Sequence, residues 1–209
     1  MVRRIRQMQF QQRHPDAPWL AEPAVLLLDS YLKPSGVGLE WGSGRSTVWF
    51  ARRVACLTSV EHSAKWSGAV QQWLRAAGVA ERVVYHKVPC DLGEFAEPES
   101  HPYLEPALTQ PDGSLDFVLV DGMIRAACMW VGLSKLKPGG LLVLDNANRF
   151  VPNCCVGKPT TVHEPRLEPR SERWREIIRE LEAWRWLHTT DGIWDTRFWI
   201  KPRAGGKQD

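Results

Sequence analysis

The sequence predicts an α/β protein with a doubly wound, mostly parallel sheet of seven strands. Short apolar runs alternate with longer amphipathic stretches, the pattern that strands and their covering helices produce. The run 115–120 is nearly all apolar, as expected of a strand with helices on both faces. Two runs near Trp186 and Phe198 are separated by the turn-forming pair Asp191-Gly192, which predicts an antiparallel pair at the C-terminal edge.

Helices and strands are predicted to alternate along the chain. The first half is predicted to contain a helix at 19–31, a strand at 37–40, a helix at 46–53, a strand at 55–60, a helix at 65–77 and a strand at 82–88. The Pro-rich, acidic segment 89–113 is predicted to be a loop with a short helix that flanks the site. The second half is predicted to contain a strand at 115–120, a helix at 125–136, a turn at 137–140, a strand at 141–144 and a helix at 171–184.

The length of 209 residues fits a single domain, which we assign to 19–203, with a basic extension at 1–18 and a flexible tail at 204–209. The apolar fraction of 44% is ordinary for a globular protein and argues against disorder. The N-terminal arginines are followed by glutamines and not by the apolar stretch of a secretory signal. No apolar run reaches the roughly 18 residues of a membrane span. We therefore expect a cytoplasmic protein without a membrane partner.

Cysteine content and charge exclude several classes of protein. Five cysteines at irregular spacing predict reduced thiols, although the adjacent pair Cys154 and Cys155 leaves open a redox or metal element. The formal charge of +3 is too small to demand a nucleic-acid partner. The eleven tryptophans favour core and lid packing, and edges such as Trp194 and Trp199 could serve a homodimer interface.

A glycine-rich turn follows the first predicted strand. The strand ends at Glu40, and Gly42 and Gly44 precede a predicted helix. In an open parallel sheet, nucleotide-like ligands dock at this point, and glycines let the backbone approach them closely. Glu40 would repel a pyrophosphate and therefore favours a cationic cofactor, and Thr47 replaces the third glycine of the dinucleotide fingerprint. A simple tight turn is the alternative.

Glu61 ends the second predicted strand. A carboxylate at that position can accept hydrogen bonds from both hydroxyls of a ribose. The alternative is a helix-capping or solvated charge.

Four motifs in this order resemble those of class I S-adenosylmethionine-dependent methyltransferases, which have a Rossmann-like fold. They span roughly residues 36–149 and are Glu40-Trp41-Gly42-Ser43-Gly44, Val60-Glu61, 116–122 (DFVLVDG) and 136–146 (LKPGGLLVLDN). The resemblance implies S-adenosylmethionine as cofactor, with its methionine end held by Glu40 and the glycine loop and its ribose bound by Glu61. The residues implied for the cofactor are Glu40, Gly42, Ser43, Gly44, Ser46, Glu61, His62 and Asp91 beside the adenine, and Asp121 in the cleft.

Two later strands also end in polar residues. Asp121 ends the fourth strand, and Asp145 and Asn146 end the fifth. These hard oxygen donors suit Mg²⁺, and the arrangement resembles that of catechol-type, cation-dependent O-methyltransferases. The chain departs from that pattern because residues 122–125 supply no lysine as a general base. The alternative is that Asp121 only lines the cleft and Asp145-Asn146 only caps a turn, in which case either acid could still position the substrate or act as a base.

The predicted function is methyl transfer to an oxygen or nitrogen of a small molecule. A nucleic-acid methyltransferase is disfavoured because the fourth strand does not end in an Asn- or Asp-Pro-Pro-aromatic motif. Glu40 disfavours a dehydrogenase, and a Rossmann-like binding protein without turnover stays an alternative. The segments 89–113 and 147–170, expected to frame the acceptor, match no motif. His101, His163 and His188 lie there or nearby, with ordinary polar residues as the alternative interpretation. Arg125 could steer an anionic substrate, and the alternative is that it caps or pairs at the start of the helix.

Overall fold

A seven-stranded mixed sheet forms the centre of the molecule, a computed structural model that describes residues 2–152 and 168–203, with the side chains of 2–4 excepted. The strand order is β3-β2-β1-β4-β5-β7-β6. The strands are β1 (Val37–Trp41), β2 (Cys56–Glu61), β3 (Val83–Lys87), β4 (Leu115–Val120), β5 (Leu136–Leu144), β6 (Arg185–Thr190) and β7 (Asp195–Ile200).

Strands β1 to β5 are parallel, and β7 pairs antiparallel with both β5 and β6. This confirms the predicted fold class, including the antiparallel pair at the C-terminal edge. The helices are α1 (Val2–Arg13), α2 (Glu22–Tyr31), α3 (Arg45–Ala51), α4 (Ala64–Ala76), α5 (Glu105–Leu108), α6 (Arg125–Lys135) and α7 (Glu172–Leu181). Short 3₁₀ turns occur at Ala80–Arg82, Pro102–Leu104 and Ala147–Arg149. Within the described ranges, none of these helices combines the length and apolar character needed to span a bilayer.

Both faces of the two central strands β4 and β5 are buried. Alternate residues belong to two different apolar clusters, since successive side chains of a strand point to opposite faces. One cluster contains Val118, Val120, Leu142 and Leu144, and the other contains Phe117, Leu119, Leu141 and Val143. The apolar runs that predicted these strands therefore reflect burial on two sides.

Most element boundaries lie within two residues of the sequence prediction, and the exceptions are the start of α2, the start of β5 and the end of α7, which lies at Leu181 and not at 184. Helix α2 begins at Glu22, three residues later than predicted, with Pro23 in its first turn, where a proline needs no N–H partner. Strand β5 begins at Leu136, so the segment 137–140 is an irregular part of the strand and not a turn before it. Backbone hydrogen bonds from Gly139 N to Lys201 O (2.8 Å) and from Lys201 N to Gly140 O (2.9 Å) keep this segment in the sheet.

The loop between α1 and α2 is held in place by glutamine side chains of α1. Gln7 Nε2 donates to Leu20 O, Gln7 Oε1 accepts from Glu22 N, and both distances are 2.8 Å. Gln11 Nε2 donates to Pro18 O at 2.9 Å. Because the loop backbone is bonded at both ends, residues 18–20 have a fixed position beside the carboxyl ends of the strands.

Gly38 allows β1 to pack directly against a ring of β4. A Cβ at this position would lie 2.0 Å from Phe117 Cε1, and Phe117 is fully buried. We expect Gly38→Ala to lower the free energy of unfolding by about 1–3 kcal/mol because the core is overpacked. Gly68→Ala in α4 is the matched control, since no atom lies within 4 Å of its added Cβ and a helical alanine is favoured by roughly 0.5–1 kcal/mol. Urea denaturation of both variants tests this, and equal stabilities would contradict the packing.

Candidate functional site

A cavity of about 480 Å³ opens at the carboxyl ends of β1, β2 and β4. In a parallel sheet this edge is where ligands bind, next to the point at which the strand order reverses. Seven residues predicted for the cofactor line the cavity, namely Gly42, Ser43, Gly44, Ser46, Glu61, His62 and Asp121. Of the remaining predicted residues, Glu40 lies beneath the cavity, and Asp91 is an exposed residue of the loop after β3 that does not line it.

Glu40 is fully buried below the glycine turn. Its Oε1 accepts from Ser59 Oγ of β2 at 2.8 Å, and its Oε2 accepts from Ser46 Oγ of α3 at 2.9 Å. Burial raises the pKa of Glu40 to about 7, although hydrogen bonds from Thr47, Ser59 and Ser46 oppose the rise. The carboxyl group thus joins β1, β2 and α3, and a cation above it would favour its ionised form.

The glycines of the turn lie close to other parts of the protein. Gly42 has φ +93°, and a Cβ there would lie 2.8 Å from the backbone of Asp121 and Gly122. At Gly44 an added Cβ would lie 3.5 Å from the indole nitrogen of Trp66, which donates to Ser43 O. Both glycines line the cavity. Gly42 also packs on the end of β4, and Gly44 lies in ordinary van der Waals contact with Trp66.

Glu61 is held rigidly at the end of β2. Its Oε2 accepts from both Ser43 N and Ser43 Oγ at 2.9 Å, and its Oε1 accepts from Ser63 N at 2.7 Å. Tyr85 lies behind Ser43, with 2.6 Å between the two hydroxyl oxygens. A carboxylate offers about four acceptor positions, so these bonds leave capacity for a ligand hydroxyl.

Asp121, Arg125 and Asp145 form one cluster at the ends of β4 and β5. The buried Arg125 donates from NH2 to Asp121 Oδ1 (3.0 Å) and Asp121 O (2.8 Å), from NH1 to Asp145 O and from Nε to Gly122 O (2.9 Å). Burial raises the pKa of Asp121, with Arg125 opposing. Burial and the Asp121 charge raise the pKa of Asp145 to about 7. Asp121 lines the cavity and Asp145 does not.

The three residues predicted to bind Mg²⁺ do not fit a metal site as they are arranged. Both oxygens of Asp145 are engaged, Oδ1 by Thr196 Oγ1 (2.6 Å) and Oδ2 by Asn146 Nδ2 (2.8 Å). Asn146 therefore presents its amide nitrogen, which is not a metal ligand, toward Asp145. The guanidinium of Arg125 supplies the positive charge between the strand ends. Among the described residues, no group of three or more His, Cys, Asp or Glu side chains could hold a metal ion.

Aromatic side chains wall the cavity on the side of the α1–α2 loop. Trp19 is 62% exposed and stacks on Trp66, with ring centroids 5.9 Å apart. The guanidinium of Arg45 lies 4.9 Å from the centroid of the Trp19 ring. We expected the tryptophans to serve packing, and no spacing in the sequence indicated that these two meet beside the glycine turn.

The loop after β3 meets the segment after β5 beside the cavity. Glu94 lines the cavity and pairs with Arg149, which lies after β5. His101 accepts from Tyr103 N at 3.1 Å, and His188 Nε2 lies 3.6 Å from Asp195 Oδ2; neither histidine lines the cavity. His163, Cys154 and Cys155 lie outside the described residues.

Comparisons with solved structures place the chain among methyltransferase folds. A possible O-methyltransferase from Klebsiella pneumoniae shares 20% identity, with a TM-score of 0.57, over 95% of this chain and 90% of that one. TomG, an O-methyltransferase from Streptomyces achromogenes involved in tomaymycin synthesis and solved with SAM, shares 18% identity, with a TM-score of 0.57, over 96% and 90%. The [4+2]-cyclase SpnF shares 15% identity, with a TM-score of 0.54, over 89% and 84%.

The fold is therefore the Rossmann-like fold of class I methyltransferases. No family model matches the chain, and no curated protein matches it in sequence. At identities of 20% and below, and with a cyclase among the similar structures, the likeness establishes the fold and leaves the chemistry to the residues of the site.

We expect the cluster at the ends of β4 and β5 to need no divalent cation, because Arg125 already supplies its positive charge. The melting temperature of the protein should be the same in excess EDTA and in excess MgCl₂. Arg125→Ala should lower the free energy of unfolding by about 3–5 kcal/mol, because it leaves Asp121 and Asp145 without their cation. A rise in melting temperature with Mg²⁺ that is lost in Asp121→Asn would contradict this assignment.

Proposed function

We propose that the protein is an S-adenosylmethionine-dependent methyltransferase that acts on an oxygen or nitrogen of a small molecule. The observation that carries this proposal is the pair of carboxylates at neighbouring strand ends. Glu61 lines the cavity with a fixed orientation, and Glu40 lies buried below the glycine turn. A ribose carrying a cationic substituent is complementary to that pair, since one carboxylate accepts hydrogen bonds from ribose hydroxyls and the other attracts positive charge.

In this proposal the cofactor extends from β1 to β3 along the edge of the sheet. Glu61 binds the ribose hydroxyls, and the turn 42–46 with Glu40 beneath it holds the methionine end. His62 and Asp91 lie on the adenine side. The bound cofactor supplies an electrophilic methyl group, and the chain supplies binding, orientation and exclusion of water.

We propose that Asp121 is the residue nearest the acceptor, because it lines the cavity and its carboxylate is held in position by a hydrogen bond from Arg125. Asp121 would orient the acceptor oxygen or nitrogen toward the electrophilic methyl group that the bound cofactor would supply. The acceptor proton then passes to Asp121 or to solvent. We propose that Asp145 acts as a positioning residue, because its carbonyl holds the Arg125 side chain, whereas its carboxyl group is engaged by Thr196 and Asn146 and does not line the cavity.

A binding protein without turnover is the second candidate. The observation that favours it is the internal use of the site carboxylates, since Glu61 accepts three hydrogen bonds from the protein and Asp145 accepts two. Binding of S-adenosylmethionine without methyl transfer to any panel of oxygen or nitrogen nucleophiles would support this candidate.

Glu61→Gln should weaken binding of S-adenosylhomocysteine at least about tenfold, because the amide replaces one acceptor oxygen with an N–H donor and so removes the acceptor position that is left for a ribose hydroxyl. Isothermal titration measures this change. Glu81→Gln is the control, because Glu81 is exposed in the turn Ala80–Arg82, away from the cavity. If the unaltered protein binds neither S-adenosylmethionine nor S-adenosylhomocysteine, the proposed function is wrong.

Binding of S-adenosylmethionine should tighten as the pH rises through the pKa of Glu40, which is about 7. The neutral acid predominates below that pH, and the sulfonium cation favours the carboxylate, so binding releases a proton. We expect the affinity to increase by about tenfold between about pH 6 and about pH 8. S-adenosylhomocysteine, which lacks the sulfonium charge, should show a smaller change. Glu40→Gln should remove the difference between the two ligands, and its persistence would contradict this role.

A further inference from the structure

A second and larger cleft, of about 730 Å³, lies at the opposite edge of the sheet. It is formed where β1 and β4 begin, where α2 ends and where the chain leaves β7. Its volume is within the range of about 300–1,000 Å³ that small-molecule sites occupy. The proposed methyl transfer makes no use of this cleft.

Positive charge is concentrated in this cleft. Five cationic side chains and a single carboxylate, Asp116, line it, and the cations are Lys33, Lys137, Arg185, Lys201 and Arg203. The resulting excess of four positive charges is larger than the formal charge of +3 of the entire chain. A concave surface lined by one sign of charge focuses its field and attracts ligands of the opposite sign.

Two of the five cations are engaged inside the protein. Lys137 Nζ lies 3.0 Å from both oxygens of Asp116, so the single carboxylate of the cleft is already neutralised. Lys201 Nζ donates to the carbonyls of Leu133 (2.8 Å) and Leu136 (3.0 Å), at the end of α6. These contacts give Lys137 and Lys201 a structural role.

Lys33 and Arg203 have no such explanation. Both are exposed at the cleft, and in the ranges 2–152 and 168–203 neither forms an ion pair. Arg203 packs over the β5 backbone at Gly139, where an added Cβ would lie 3.2 Å from the Arg203 Nε. The guanidinium is thus placed by contact with the β5 backbone and keeps donors for a ligand.

We propose that this cleft binds a phosphorylated small molecule, with Lys33 and Arg203 contacting its phosphate groups. The N–H groups of a guanidinium or an ammonium group donate charge-assisted hydrogen bonds to phosphate oxygens when no carboxylate of the protein already pairs with them. The half-exposed ion pair of Asp116 and Lys137 lines the cleft beside them. The site is separate from the edge of the sheet at which S-adenosylmethionine is proposed to bind.

Titration of the full chain with inorganic pyrophosphate, at constant ionic strength, tests this proposal. We expect saturable binding that weakens about tenfold or more in Lys33→Ala/Arg203→Ala, since two charge-assisted contacts are lost. Lys65→Ala/Arg75→Ala is the matched control, because it removes one lysine and one arginine from exposed positions of α4 without an ion pair among the described residues. The control should bind pyrophosphate like the unaltered protein.

Three outcomes would overturn the proposal. They are the absence of saturable pyrophosphate binding, an equal loss of affinity in the α4 control, and binding of polyuridylate RNA without binding of pyrophosphate. Binding of S-adenosylhomocysteine, measured on the same samples, should be equal in all variants. A preparation that binds pyrophosphate but not S-adenosylhomocysteine would sustain this site while contradicting the proposed function.

Discussion

The buried carboxyl group of Glu40 is the interaction on which the candidate site depends. Its two oxygens accept from Ser59 of β2 and Ser46 of α3, so one side chain of β1 fixes the neighbouring strand and the following helix. Because α3 begins directly after the glycine turn, this arrangement also sets the position of Ser43, and Ser43 in turn orients Glu61. A buried acid is costly unless it is hydrogen-bonded or neutral, and a pKa of about 7 leaves Glu40 close to ionisation.

Positive charge from an arginine organises the other half of the site. Arg125 begins α6 and turns back to bond the ends of β4 and β5, where the sequence pattern had predicted a magnesium ion. A guanidinium with several fixed donors can hold two acidic strand ends together without an ion that must be taken from solution.

The sheet was predictable from sequence because apolar runs mark buried strands, and so was the edge of the sheet at which the strand-end acids meet. Seven predicted residues do line one cavity. The stacking of Trp19 on Trp66 was not predictable, since the two residues are distant in sequence and meet through the tertiary fold. The start of β5 at Leu136 was missed because Gly139 and Gly140 are typical of a turn, whereas here pairing with the residue after β7 keeps them in the sheet.

The most direct test of the central claim is nuclear magnetic resonance of the ¹⁵N-labelled protein during titration with S-adenosylhomocysteine. The indole N–H of Trp66 donates to Ser43 O in the glycine turn, whereas Trp174 is buried in the core away from the cavity. The account predicts that the Trp66 indole and Ser43 amide signals shift to saturation while the Trp174 signal stays unchanged. Saturating ligand that moves neither the Trp66 nor the Ser43 signal would contradict a cofactor site at this turn.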